Sequence, residues 1–289
     1  MRVFALSDIH VDYEVNRSWI YGLSSADFQD DVLILAGDIS YDLKKVQNTL
    51  LHLLKKFKYV FLVPGNHDLW IWKSPFANSL EKFDGLMEMC RSIGVHVSPA
   101  RVGGESARES VWVVPLFSWY SPPEKGGNSL FVSGSRIDLT RYIWADNYYT
   151  RWPPIVRSVT VAEFFLQMNE VHLRTLYNAP VISFSHFLPR RELMFGSDRN
   201  SKIESEALKR RRRLFNFSRV AGSAHLEEQI RQLGSHIHVY GHQHRNRHKV
   251  IDGVSYVSHC LGYPRERKRG IIRLRENVPK CIWDSEHIS

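Results

Sequence analysis

Residues 59–70 read YVFLVPGNHDLW. Val60, Phe61, Leu62 and Val63 make a continuous apolar run of strand length, the pattern of a strand buried on both faces. Pro64-Gly65 ends it, and Asn66, His67 and Asp68 follow at once. A core strand that brings an amide, an imidazole and a carboxylate to a single rim is either an ordinary polar turn or one wall of a site. The ends of the other strands decide between these.

Four more apolar runs end in the same kind of punctuation. Strands are predicted over 3–6, 32–35, 180–184 and 237–240. They lead into Asp8-Ile9-His10, Gly37-Asp38, Ser185-His186 and Gly241-His242-Gln243-His244. Taken alone, each piece is weak. Asp-x-His is commonplace after a strand, Gly-Asp is a turn, and one histidine is more often a satisfied core residue than a ligand. In Gly241-His242-x-His244 an extended backbone would point both imidazoles the same way. The glycines permit tight turns and close approach of backbone.

Leu43, Val46, Leu50, Leu53, Leu54 and Phe57 recur at helical spacing, with Asp42 near the start and Lys55, Lys56 and Lys58 near the end. A helix between apolar strands implies a parallel crossover. In open α/β sheets a ligand site lies outside the carboxyl ends of such strands, so the five polar groups can converge. Two or three carboxylates, an amide and four or five imidazoles, without a thiolate, suit manganese, zinc, iron or magnesium.

Elsewhere, a weak helical pattern lies over 17–26. Ser79 heads a predicted helix through Leu80, Phe83, Met87, Cys90 and Ile93, closed by Gly94. Short strands are expected over 95–97 and 111–116. Thr160-x-x-Glu163 is a capping box, with Val161, Phe164, Phe165, Met168, Val171 and Leu176 as the buried face. Ser223 heads another helix, Asp252-Gly253 reads as a type I′ hairpin turn, and strands are expected over 271–274 and 280–283. The stretch 117–157 is rich in aromatics without a period. It reads as a surface excursion, either a binding loop or a segment pinned by its own rings. The 289 residues show no repeat or linker and are read as one domain over 1–289.

Composition is ordinary for a globular chain, 43% hydrophobic and 24% charged. No signal-peptide pattern and no run long enough to span a bilayer is seen. Cys90, Cys260 and Cys281 lack CxxC spacing, which predicts neither a disulfide framework nor a thiolate zinc site. The expected setting is cytoplasmic, with no membrane partner. A net charge of +9 favours anionic partners. Its two clusters, Lys209 to Arg213 and Arg265 to Arg269, read as solvated faces.

In this order the five strand ends resemble the calcineurin-like metallophosphoesterase superfamily. The resemblance implies an α/β (α+β) fold, a four-layer αββα sandwich of two mixed β-sheets flanked by helices. It implies two divalent or mixed-valence metal ions about 3.5–4 Å apart, manganese foremost, with iron, zinc or magnesium as the other candidates. Asp8, His10 and His244 would hold one ion and Asn66, His186 and His242 the other, with Asp38 bridging. A metal-bridging hydroxide would attack phosphorus in line. His67 would protonate the leaving oxygen, oriented by Asp68.

Gly37-Asp38-Ile39-Ser40-Tyr41 and the closing Asp68 depart from the Gly-Asp-x-Val-Asp-Arg-Gly and Gly-Asn-His-Glu of the protein Ser/Thr phosphatases. Tyr41 lies at a spacing similar to the tyrosinate of purple acid phosphatases, but the chain lacks the secretory pattern. The expected function is hydrolysis of a phosphate mono- or diester in a small phosphorylated molecule or nucleotide. A nuclease on DNA or RNA is the alternative, and a non-catalytic scaffold is disfavoured because every ligand position is filled. Substrate-binding residues and oligomeric state are not assigned.

Overall fold

A computed structural model of the chain describes residues 1–104, 106, 109–133, 138–195, 214–274 and 278–286. The Lys209 to Arg213 cluster lies outside them. The chain forms two mixed β-sheets flanked by helices, as the resemblance implied. In the first sheet, β1 (Arg2–Leu6), β2 (Val32–Ala36) and β3 (Tyr59–Val63) run parallel, and β10 (Lys280–Asp284) pairs antiparallel on the β1 edge. In the second, β5 (Ser110–Pro115), β6 (Val181–Phe184), β7 (Ser235–Val239) and β9 (Val254–Ser258) run parallel. Antiparallel edges β4 (Ala100–Gly103) and β8 (Arg247–Ile251) close that sheet.

The central strands are apolar for a physical reason. β2 is buried at every residue, and β1 and β3 at every residue after the first, because helices cover one face and the other sheet covers the opposite face. Phe61 of β3 meets Phe184 of β6 edge-on across the sheets, with ring centroids 6.4 Å apart. Such wholly apolar strands cannot turn over without exposing their side chains, so their register holds the carboxyl ends level.

Several local expectations shift. Asn78, not Ser79, caps the helix Ser79–Ser92, accepting from the amides of Leu80 and Glu81. Ser79 Oγ instead accepts from the Arg151 amide at 3.0 Å. The 95–97 stretch makes a single bridge, Phe61 to His96, rather than a strand. Residues 271–274 form no strand, and β4 was not foreseen because its four residues carry little apolar signal. The Thr160 capping box is present, but its helix Val161–Met168 stops early, so Val171 and Leu176 are exposed. The helix His225–Gln232 starts without a side-chain cap, and Ser223 Oγ pairs with Ser121 Oγ. Asp252 (φ 48°) and Gly253 (φ 82°) form the expected hairpin turn between β8 and β9.

Among its described residues the 117–157 excursion contains three one-turn α-helices, Thr140–Ile143, Asp146–Tyr149 and Pro154–Arg157. Its rings pin it to the body: Trp119 is buried against Trp152, Phe165 and Phe187. No helix among the described residues is long and apolar enough to cross a membrane.

Truncating Phe184 to Ala removes the inter-sheet ring contact and leaves a cavity. It should lower unfolding free energy by about 3–5 kcal/mol, measured by urea denaturation, with an unchanged m-value.

Candidate metal centre

Three of the five strand ends, those of β1, β2 and β7, deliver their polar residues through a backbone of restricted conformation. Asp8 (φ 49°), His10 (φ 41°), Asp38 (φ 60°), His242 (φ 70°) and His244 (φ 53°) all lie in the left-handed region. Only two other non-glycine residues, Lys73 and Asp252, do so among the described residues. Such conformations are costly for L-residues and persist where surroundings hold them. Here the hold comes from neighbouring strand ends: Asp8 N donates to Gly37 O (2.9 Å), and His10 N to Asp38 O (3.0 Å). The extended-backbone expectation for His242 and His244 fails for this reason. Both residues are left-handed, and their rings face different neighbours.

Gly65 is obligatory. A Cβ there would lie 2.1 Å from Asp38 Oδ1. Gly37 (φ 80°) likewise leaves no room, its Cβ position being 2.5 Å from His186 Nδ1.

The chelating groups converge. Ligand atoms of Asp8, His10, Asp38 and His244 lie within 4.8 Å of one another, and all four residues are buried. Beside them, His186 Nε2 lies 3.2 Å from Asn66 Oδ1 and 3.6 Å from Asp38 Oδ2. The His242 ring stands 5.1 Å from that of His186. Asp38 thus sits between the two groups, 3.9 Å from His10 Nε2 on one side.

The imidazoles are held in defined tautomers by their second nitrogens. His186 Nδ1 donates to Ala36 O (2.8 Å) and His242 Nε2 to Val220 O (2.9 Å). His244 Nδ1 meets Glu266 Oε2 at 2.6 Å. This leaves His186 Nε2 and His242 Nδ1 as lone-pair nitrogens, and His244 Nε2 as the nitrogen that faces Asp8. His10 Nε2 and His244 Nε2 stand 3.1 Å apart. Two imidazole nitrogens at that distance, beside two buried carboxylates, require a proton or a cation between them. The donor set therefore fits a divalent metal, with hard oxygens and imidazoles and no thiolate.

The charges show the same demand. Burial and the neighbouring Asp8 and Asp68 carboxylates push Asp38 well above the usual range. Burial opposes protonation of His244, but Asp8 and Glu266 outweigh it and raise its pKa to about 10. In the metal-free protein this imidazole keeps a proton that a metal must displace.

Asp68 occupies a different position from the one the resemblance implied. Its carboxylate accepts from the amides of Asp38 (2.8 Å), Ile39 (2.9 Å), Ser40 (3.0 Å) and Gly65 (2.8 Å). It clamps the loop after β2 to the loop after β3, and no contact from it to the His67 ring is seen. The His67 ring lies between Trp70 (centroids 3.7 Å) and His10 (4.7 Å). Its Nε2 is 3.9 Å from Asp38 Oδ2 and 3.3 Å from the Tyr263 hydroxyl.

Four contributors escaped sequence reading. Glu266 holds His244 and accepts from the Tyr263 amide (2.8 Å). Tyr263 packs on His10 and His244. Buried Asp146, on the excursion, accepts from Asn66 Nδ2 (2.8 Å), fixing that amide so that Oδ1 faces His186. Indole N–H groups of Trp70 and Trp144 also donate to it. Buried Lys82 donates to the carbonyls of Tyr41 (2.6 Å) and Trp70 (2.5 Å), and burial lowers its pKa to about 8. The Arg265 to Arg269 run is only partly a solvated face. Glu266 serves the site, and Arg267 donates to the Leu261 and Gly262 carbonyls and to Asn16.

The family model of calcineurin-like phosphoesterases matches residues 1–246. The chain belongs to that family. It is a hydrolase acting on phosphoric ester bonds, and the family depends on a dinuclear metal centre. A curated relative is the acyl-carrier-protein phosphodiesterase PptH of Mycobacterium tuberculosis. It is 27% identical over 287 residues, spanning 96% of this chain and 83% of its own. The crystal structure of phosphopantetheinyl hydrolase PptH from Mycobacterium tuberculosis shares the fold. Its TM-score is 0.72 at 23% identity, over 93% of this chain and 92% of that one. The match of the family model ends before Tyr263 and Glu266.

Two outcomes follow for the metal-free protein. Metal uptake should release protons and strengthen as pH rises towards 10, read by calorimetry in buffers of different ionisation enthalpy. Glu266→Gln should weaken metal affinity about 10–100-fold, because the His244 ring loses its anionic anchor.

Proposed function

We propose that this chain is a dinuclear-metal phosphodiesterase whose substrate carries a phosphopantetheinyl group on an acyl carrier protein. The observation that carries the reading is the convergence of Asp8, His10, Asp38 and His244, with His186 and Asn66 beside them, in a chain similar over 96% of its length to an acyl-carrier-protein phosphodiesterase. In this reading Asp8, His10 and His244 hold one ion, and Asn66, His186 and His242 the other, with Asp38 shared. Manganese is the first candidate. When bound, the pair supplies a nucleophile at neutral pH and neutralises phosphoryl charge.

The protein's own residues do the rest. Only an anionic group with two oxygens, such as Asp38, can serve both ligand groups and damp repulsion between cations. His67 stands at the edge of the cluster and is needed by neither group, so it is free to give its Nε2 proton to the departing oxygen. Trp70 stacks beneath its ring and holds it in that attitude. Asp68 keeps the β2 and β3 loops in register, which sets the distance between Asp38 and His67. The positive net charge of the chain suits an anionic substrate.

The test is incubation of metal-loaded enzyme with a phosphopantetheinylated carrier protein, followed by intact-mass spectrometry. Loss of the phosphopantetheinyl mass is expected, and chelation should abolish it. Turnover of single-stranded nucleic acid with an untouched carrier protein would instead favour the nuclease reading.

Asp38→Asn should lose most bound metal and nearly all hydrolysis; full activity in that variant would overturn the dinuclear assignment. His67→Ala should retain metal. It should slow alkyl-ester cleavage by about 10²–10⁴-fold and aryl-ester cleavage far less.

A further inference from the structure

The segment after β9 brings one more functional group to the phosphoryl site. Tyr263 lies beyond the residues that match the family model, at the start of the short helix Pro264–Lys268. Three contacts hold its ring. Its centroid is 4.6 Å from that of His10 and 4.7 Å from that of His244, and Tyr13 closes the outer side at 5.6 Å. Its backbone is tied down as well, its amide donating to the same Glu266 carboxylate that holds His244. A phenol fixed by rings and backbone in this way has little freedom at χ1 and χ2. Its hydroxyl ends 3.3 Å from His67 Nε2, the nitrogen that also faces Asp38.

That placement gives the hydroxyl a definite part in the chemistry. From the geometry we infer that Tyr263 is a positioning residue for His67: its hydroxyl accepts from Nε2–H at rest and fixes the ring, so that the same proton can pass to a leaving oxygen that enters beside the phenol. The inference rests on the reading of His67 as the acid. During hydrolysis a water-derived oxygen bonds to phosphorus as the bond to the leaving oxygen breaks, and the electron pair of that bond stays on the leaving oxygen. The proton on His67 Nε2 moves to it. Tyr263 neither gains nor loses a proton. Without the phenol, the His67 ring keeps its stack on Trp70 but loses the contact at Nε2.

The experiment is a mutant cycle on the metal-loaded enzyme, using phosphodiesters that keep the same retained alkoxy group and differ in leaving-group acidity. Tyr263→Phe preserves the ring contacts and removes only the hydroxyl. Metal content by mass spectrometry and melting temperature should match wild type. The rate on poor leaving groups should fall about 10–100-fold, the worth of one hydrogen bond to a charged group, with little change on good ones. The double variant Tyr263→Phe/His67→Ala should be no slower than His67→Ala alone, since both act on one proton.

Three results would overturn the inference. Equal losses on good and poor leaving groups would place Tyr263 elsewhere in the step. Multiplicative losses in the double variant would make it independent of His67. A visible charge-transfer band in the iron-loaded wild type that vanishes in Tyr263→Phe would make it a metal ligand. Failure of the underlying reading looks different: His67→Ala itself would then show no dependence on the leaving group.

Discussion

The structure depends on burying two carboxylates and four imidazoles in one place. Asp8 and Asp38 have almost no exposure, and His10, His186, His242 and His244 crowd around them. Like charges so close, and so far from water, cannot all keep their ordinary protonation states. The fold tolerates the arrangement because cations compensate the carboxylates and take the imidazole lone pairs. The 3.1 Å approach of His10 Nε2 to His244 Nε2 is the plainest mark of that requirement.

The scaffold meets the requirement with backbone as much as with side chains. Five candidate ligands sit at positive φ, and glycines at 37 and 65 let adjoining loops touch. Asp68 spends both oxygens on the amides of two loops, so it acts as mortar between β2 and β3. Glu266 and Asp146 extend the same logic outward, each fixing one ligand by the atom that does not face the cluster. The aromatic excursion gains a purpose from this. The packing of its Trp119 against Phe165 and Phe187 helps to hold Asp146 at the Asn66 amide.

The parts of the fold legible in the sequence were those with strong local signals. Wholly apolar strands, the periodic helix after Asp42, the Thr160 capping box and the Asp252-Gly253 turn are all local chemistry. The errors have local causes too. Ser79 and Asn78 are both good caps, and only the surrounding loop decides that Ser79 receives the Arg151 amide instead. Val171 and Leu176 continue an apolar rhythm, but the helix Val161–Met168 ends before it can bury them.

The sequence by itself determined which chemistry is available: five strand ends, their order, and a set of oxygen and imidazole donors without thiolate. Strand periodicity places such groups on one rim, which is why the ligand candidates were readable. Only the tertiary structure decided what each one does. His242 and His244 part company because left-handed backbone turns their rings to different neighbours. Asp68 grips amides because the β2 loop comes within reach. Tyr263, Glu266 and Asp146 join the site from segments with no motif, since contacts between residues far apart in the chain leave no local trace in either partner.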